Sequence, residues 1–242
     1  MSCVLRNVLD LFTVINASPP LKAQVQSILC LGIVIIFMIG CQEVSDTPEI
    51  EPVLQKAAED KLLFDGVSFD GWEGVNDFFR IEDQAIVAGS MKMPVPQNEF
   101  LCTIERYANF KLKLETKLVG EKTNAGIQFH TERIPGDNEV IGYQADIGEG
   151  FWGGIYDESR RNKMLVRADP ALIREILKVD DWNTYELEAN GPNFRIAING
   201  EQTVAYTEED ERIPLEGHIC LQIHSGPPGE QWYKSIVLEE LN

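Results

Sequence analysis

Basic residues are scarce in this chain of 242 residues: 21 Lys and Arg stand against 39 Asp and Glu, a net charge of −18. Such a surface repels phosphate backbones, which discounts nucleic acid as a partner. Histidine is scarcer still, with 3 residues, and cysteine numbers 5. No CxxC pair occurs, so a thiolate zinc site lacks support. A GxSxG elbow is also missing, and no Ser or Cys nucleophile can be paired with a His from spacing. The apolar run from Ile28 to Ile39 falls short of the ~18–20 residues that a membrane span needs.

That run ends at Gly40-Cys41 and reads as the h-region of a secretory signal. Met38-Ile39-Gly40-Cys41 is similar to a bacterial lipobox, so residues 1–41 are expected to form a lipoprotein signal peptide with Cys41 as the lipidated residue. A simple membrane anchor helix is the alternative. Residues 42–61 are acidic, carry Pro48 and Pro52 and have no period, as in a flexible tether. The expected location is the bacterial cell envelope, periplasmic or at the cell surface, with the membrane held through lipid.

Residues 62–242 are enough for one domain with a sizeable core. Short strands with turn signals between them dominate. Asn109–Val119 is the clearest, with Phe110, Leu112, Leu114 and Leu118 on one side and Lys111, Lys113, Glu115 and Lys117 on the other. Asn199-Gly200 is a two-residue hairpin signal. One helix is expected, capped by Asp169, begun by Pro170 and running over Ala171–Lys178. The pattern predicts an all-β fold, two antiparallel sheets packed as a jelly-roll sandwich. Cys102 and Cys220 could pair in an oxidising compartment, but both fall inside predicted strands and the sequence does not give their separation in space, so two free buried thiols are the favoured expectation.

The chemistry-bearing stretch runs from Asn124 to Arg161. Gly126, Gln128 and His130 alternate with Ile127 and Phe129; Gln144 and Asp146 alternate with Tyr143, Ala145 and Ile147; Tyr156 and Glu158 alternate with Ile155 and Asp157. Far along the chain, His218, Cys220, Gln222 and His224 repeat the pattern. A solvated sheet face is commonly polar, but this chain fills such a face with Lys and Glu, as the run from Lys111 to Lys117 shows. Gln, His and Asp on several strands therefore read as a ligand site. Two patterns are set aside. Gly148, Gly150 and Gly153 spell GxGxxG, but no apolar-periodic helix follows and Glu149 would sit beside a phosphate. His130, His224 and Asp146 have no metal-ligand spacing, so no metal is assigned, with a cation such as calcium left open.

The runs LLFDGVSFDGW, NAGIQFHTERIPGDNEVIGYQADIGEGFWGGIYDESRRNKML, DWNTYELEANG and GHICLQIHSGPPGEQWYKSIVLEEL together resemble the 3-keto-disaccharide hydrolase domain family from about Leu62 to Leu241. One departure is His130, where the family more often carries Arg. The resemblance implies a concanavalin A-like or laminin G-like jelly roll, and a partner oxidoreductase that first makes a ketone at C3 of a sugar. The C2 proton then becomes acidic, its removal expels the group on C1, and water adds to the enone. No protein nucleophile and no cofactor is needed. His224 is the first candidate for the base, with Asp146 and Glu158 as base or acid and Arg161 or Arg160 holding the enolate. Gln128, His130, Tyr143, Gln144, Tyr156 and Gln222 suit sugar hydroxyls, and Trp152, bracketed by Gly150 and Gly153, offers a stacking face. A non-catalytic carbohydrate-binding module on the same sandwich is the competing expectation.

Overall fold

The computed structural model describes residues 60–242; Cys41, the signal segment and nearly all of the tether lie outside the described residues. In chain order the strands are β1 (Lys61–Leu62), β2 (Trp72–Glu73), β3 (Phe79–Glu82), β4 (Ala85–Ser90), β5 (Glu99–Thr103), β6 (Phe110–Val119), β7 (Asn124–Arg133), β8 (Val140–Gly148), β9 (Ile155–Glu158), β10 (Lys163–Val166), β11 (Asn183–Asn190), β12 (Asn193–Ile198), β13 (Glu201–Thr207), β14 (His218–Ile223) and β15 (Gly229–Glu240), with one helix, α1 (Pro170–Ile176), between β10 and β11.

Their side-chain alternation builds two layers. One sheet runs β13-β12-β11-β6-β15-β4-β3, with β1 also on β15; the other runs β10-β9-β8-β7-β14-β5-β2. Neighbours throughout are antiparallel, and the fold is a jelly-roll sandwich. Phe110, Leu112 and Leu114 of β6 are buried while Lys111 and Lys113 are exposed, so the charged residues face water and the apolar ones face the other sheet. Across the core they share a cluster with Ile127, Phe129, Tyr143, Ile147 and Leu221 of the second sheet.

Local signals hold at the connections. Asn199 and Gly200 join β12 to β13 at φ 52° and 89°, the left-handed pair that a two-residue type I′ turn requires. Asp169 accepts from the Ala171 amide at 2.8 Å, with Pro170 in the first turn of α1. The helix stops at Ile176, earlier than expected, because the Asn183 amide captures the Lys178 backbone N–H at 2.9 Å and its C=O at 2.8 Å.

The expectation of free thiols is corrected. Cys102 of β5 and Cys220 of β14 stand directly opposite each other in register and form a disulfide that closes 118 residues of sequence. Strand propensity could not show this, because pairing depends on which strands become neighbours. Replacing both by Ser should cost about 4–5 kcal/mol if restriction of the unfolded chain is the main effect. Urea unfolding of the double variant, compared with wild type with and without reductant, measures it.

Candidate functional site

The second sheet carries its polar residues on the face turned away from the sandwich core. Register places them in rows. Gln222 of β14 pairs with Gly126 of β7, which pairs with Asp146 of β8. In the next row Cys220 pairs with Gln128, Gln128 with Gln144, and Gln144 with Tyr156 of β9. Glu158 pairs with Gly142 beyond them. The sequence pattern and the fold agree on six of these: Gln128, Gln144, Asp146, Tyr156, Glu158 and Gln222 share one face.

These side chains form a relay. Gln128 donates through Nε2 to Gln144 Oε1 at 2.6 Å, and Gln144 donates through Nε2 to Asp146 Oδ1 at 2.6 Å. Gly126 makes the relay possible, because a Cβ there would come within 2.4 Å of Gln144 Cδ. The row is buried: Gln128 and Gln222 have no exposure and Gln144 and Asp146 keep 3% each. Burial pushes the Asp146 carboxyl up to about 7; Glu158 adds to the rise, while the hydrogen bond from Gln144 and the charge of Arg167 oppose it. Glu158 is also raised, by burial first and then by Glu139, against the pull of His224. Tyr156 is raised by burial and by the carboxylates of Glu158 and Asp146. Beside them, the Gln222 amide has neither its Nε2 nor its Oε1 partnered, and Gln128 Oε1 is likewise free. A buried amide with both ends unpaired costs stability, and the expense is understandable where a ligand completes it.

The floor is braced from behind. Tyr233 of β15 lies with its hydroxyl 3.0 Å from Gly126 O and 2.8 Å from Gln222 O, and the Tyr185 hydroxyl of β11 donates to Asp146 O at 3.1 Å. One side is walled by the turn after β7, which leans across β14 to β5. Arg133 donates to Phe100 O at 3.0 Å and to Glu73 at 2.8 Å, and Asn98 donates to Glu139 at 3.0 Å. Val140 thereby closes over Phe100 and the disulfide. His224 follows β14 at the rim, exposed, its amide donating to Asn124 O at 2.9 Å and its Nδ1 2.7 Å from Ser225 O.

Five expected site residues lie elsewhere. β7 shifts register between Phe129 and Glu132, with His130 at φ 47°, so the alternation flips. The His130 ring turns into the aromatic core against Phe129 and Phe194, and its Nε2 sits 2.7 Å from Ala108 O. Tyr143 faces inward as well, stacked on Phe129 with centroids 5.3 Å apart, and donates to Glu208 at 2.7 Å. Trp152 is buried within the main core and offers no platform; the neighbouring Phe151 is the exposed aromatic. Arg160 and Arg161 turn inward to Asp157, the fully buried residue between Tyr156 and Glu158; Arg160 stands 2.7 Å from its carboxylate, and Arg161 also binds Glu208 at 2.6 Å. In the other direction, Glu139, Asn98 and Arg167 border the site, and no period marks them because loops carry them. Among the described residues no cluster of three or more His, Cys, Asp or Glu is arranged to hold a metal ion.

The fold has relatives among solved structures. A candidate glycosyl hydrolase from Parabacteroides distasonis is 18% identical, with a TM-score of 0.59 over 76% of this chain and 94% of that one. The carbohydrate-binding module CBM66 from Bacillus subtilis is 13% identical, with a TM-score of 0.55 over 70% and 96% of the two chains. A Bacillus licheniformis beta-glucanase is 10% identical, with a TM-score of 0.52 over 78% and 100%. At these identities the likeness is one of fold. Among curated proteins none matches by sequence. A family model described as the 3-keto-alpha-glucoside-1,2-lyase-like domain matches residues 59–239, from just before β1 to the end of β15, and on that match the chain belongs to this family.

Proposed function

We propose that the protein cleaves 3-keto-glycosides by elimination and hydration on the outer face of the second sheet. The observation that carries this reading is a buried carboxyl near neutrality, Asp146, in the same row as the partnerless amide of Gln222. A ketone at C3 acidifies the C2 proton. Asp146 takes that proton, and the electron pair passes to the C3 oxygen, where the Gln222 amide N–H donates to the enolate. The enolate re-forms the ketone and expels the C1 oxygen, leaving a double bond between C1 and C2. Glu158, whose raised pKa keeps it protonated to higher pH than an ordinary carboxyl, gives the leaving group its proton. Water then adds across the double bond, its hydroxyl at C1 and a proton at C2, for a net hydrolysis. Gln128, Gln144 and Tyr156 hold ring hydroxyls. His224, at the exposed rim, is assigned to substrate entry and not to the C2 proton. An oxidoreductase must act first, since the reaction starts from the ketone, and the reading includes export and lipidation at Cys41.

Release of the chromophore from a 3-keto-glucoside by the purified protein tests the reading, with the unoxidised glucoside as control. Cleavage of the keto substrate alone is expected. It should be lost in Asp146→Asn and largely retained in His224→Ala. The second reading is a carbohydrate-binding module, favoured by the amide-rich floor. Sugar binding without cleavage of the keto substrate would establish it instead.

A further inference from the structure

One cavity of the structure lies outside the polar face and plays no part in the proton transfers proposed above. A cleft of about 1050 Å³ opens between α1, the β6–β7 turn and the turn after β8, walled by Leu118, Phe151, Trp152, Ile173, Leu177 and Val179. That volume is in the class that encloses mostly apolar ligands of drug size. Phe151 and Val179 expose 38% and 75% of their surfaces there, an unusual outlay of apolar area on a chain of net charge −18. The charged residues of the cleft, Glu121, Lys122, Glu149, Arg167, Arg174, Lys178 and Asp180, are all exposed, so none is buried among its apolar walls.

Two features separate its chemistry from that of the amide-rich floor. The one amide side chain lining it, Asn183, is already committed to Lys178 and to Asp181 O and Asn199, so it has no hydrogen bond left for a sugar hydroxyl. Arg167 donates to Gly150 O at 3.2 Å and lies 5.4 Å over the Phe151 ring, which fixes an aromatic edge at the mouth.

The cleft and the floor are joined by a single tight turn. Asp146 N–H donates to Gly154 O at 3.0 Å, and Gly153 N–H donates to Asp146 O at 3.1 Å, so the residues that bear Phe151 and Trp152 start from the backbone of the proposed base. A sugar ring whose C2 lies over Asp146 has C1 one bond away. Gly150, in the turn after Asp146, is exposed and lines the cleft.

We infer that this cleft is the subsite for the C1 substituent, and that it selects glycosides whose leaving group is an apolar ring system over those whose leaving group is a second sugar. The inference rests on the elimination reading for the position of C1. It adds the class of aglycone.

The test compares 2-cyclohexylethyl and ethyl 3-keto-glucosides, whose leaving alcohols have matched acidity, alongside a 3-keto-disaccharide. The cyclohexylethyl substrate should be favoured over the ethyl one by roughly tenfold or more in kcat/KM, mostly through KM, because several methylenes are taken from water. Phe151→Ser and Leu177→Asp should each draw that ratio toward one. A parallel calorimetric titration with the unoxidised glucosides needs no turnover, and there the cyclohexylethyl compound should again bind more tightly. Turnover with a ratio near one, or preference for the disaccharide, overturns the subsite and leaves the elimination reading standing. Absence of turnover on every keto substrate overturns the elimination reading. In that case equal affinities in the titration overturn the subsite too, and a preference abolished by Phe151→Ser upholds it.

Discussion

Asp146→Asn should lower kcat/KM for a 3-keto-glucoside by about 10²–10⁴-fold, the range expected for losing a positioned general base, while making the protein more stable at pH 8. Both effects follow from one cause. Burial raises the Asp146 carboxyl to about 7, so near neutrality it is divided between the form that accepts the C2 proton and the form that does not. The wild-type kcat/KM should climb with pH through about 7, and residual activity of the variant should lack that limb. For stability, the folded pKa lies above the unfolded value of about 3.9. The native state therefore holds a proton that the unfolded chain releases between these values. The resulting stabilisation is complete below about pH 4 and is lost as pH rises through about 7. At pH 8 the wild type carries a buried carboxylate, and the neutral amide should recover up to about 4 kcal/mol, with Oδ1 still able to accept from Gln144. Urea unfolding of both proteins at pH 4.5 and pH 8 checks this: the gap between the two curves should be several times wider at the higher pH. Equal activity in Asp146→Asn would remove Asp146 from the proton transfer.

Arg161→Met should destabilise the fold by about 3–5 kcal/mol, the cost of leaving a buried ion without its partner. Asp157 is buried completely, and the side chain of Glu208 is 3% exposed. Arg161 bridges the two, joining β9 of one sheet to the segment after β13 of the other. Burial pushes Glu208 up, but the hydrogen bonds from Arg161, the Asp210 amide and the Tyr143 hydroxyl outweigh it and hold the carboxyl at about 2. Because this folded pKa lies below the unfolded one, its contribution is present above about pH 4 and is lost as pH falls toward 2. The variant should thus lose much of its advantage at pH 6 over pH 2.5. Adding Glu208→Gln to Arg161→Met should restore part of the loss by removing the stranded charge, and urea midpoints at the two pH values decide it. Activity should fall as well, since Asp157 anchors β9, and Tyr156 and Glu158 stand on the opposite face of that strand.

The period of two was enough to find the floor. Gln128, Gln144, Asp146, Tyr156, Glu158 and Gln222 could be grouped from alternation because β7, β8, β9 and β14 are regular where those residues sit. The same rule failed at His130, where one bulged residue reverses the side on which the chain presents its side chains. It failed for Arg160 and Arg161 because they lie in the turn after β9, where alternation has ended and charge pairing with Asp157 decides direction. Trp152 was misread through its flanking glycines, which do mark a turn, but one whose tryptophan points into the core.

The amino-acid sequence by itself determined the all-β class, the sandwich layering, the Asn199-Gly200 hairpin, the capped helix and the shared polar face, since each depends on contacts between residues near in the chain or on side-chain period. Only the tertiary structure decided that Cys102 meets Cys220, that Asp146 is buried enough to titrate near 7, that Glu139 meets Asn98 and that a cleft of about 1050 Å³ opens at the turn after β8. Those properties depend on strand order and on loops folding across neighbouring strands. Residues 118 positions apart become neighbours there through pairings that no local pattern encodes.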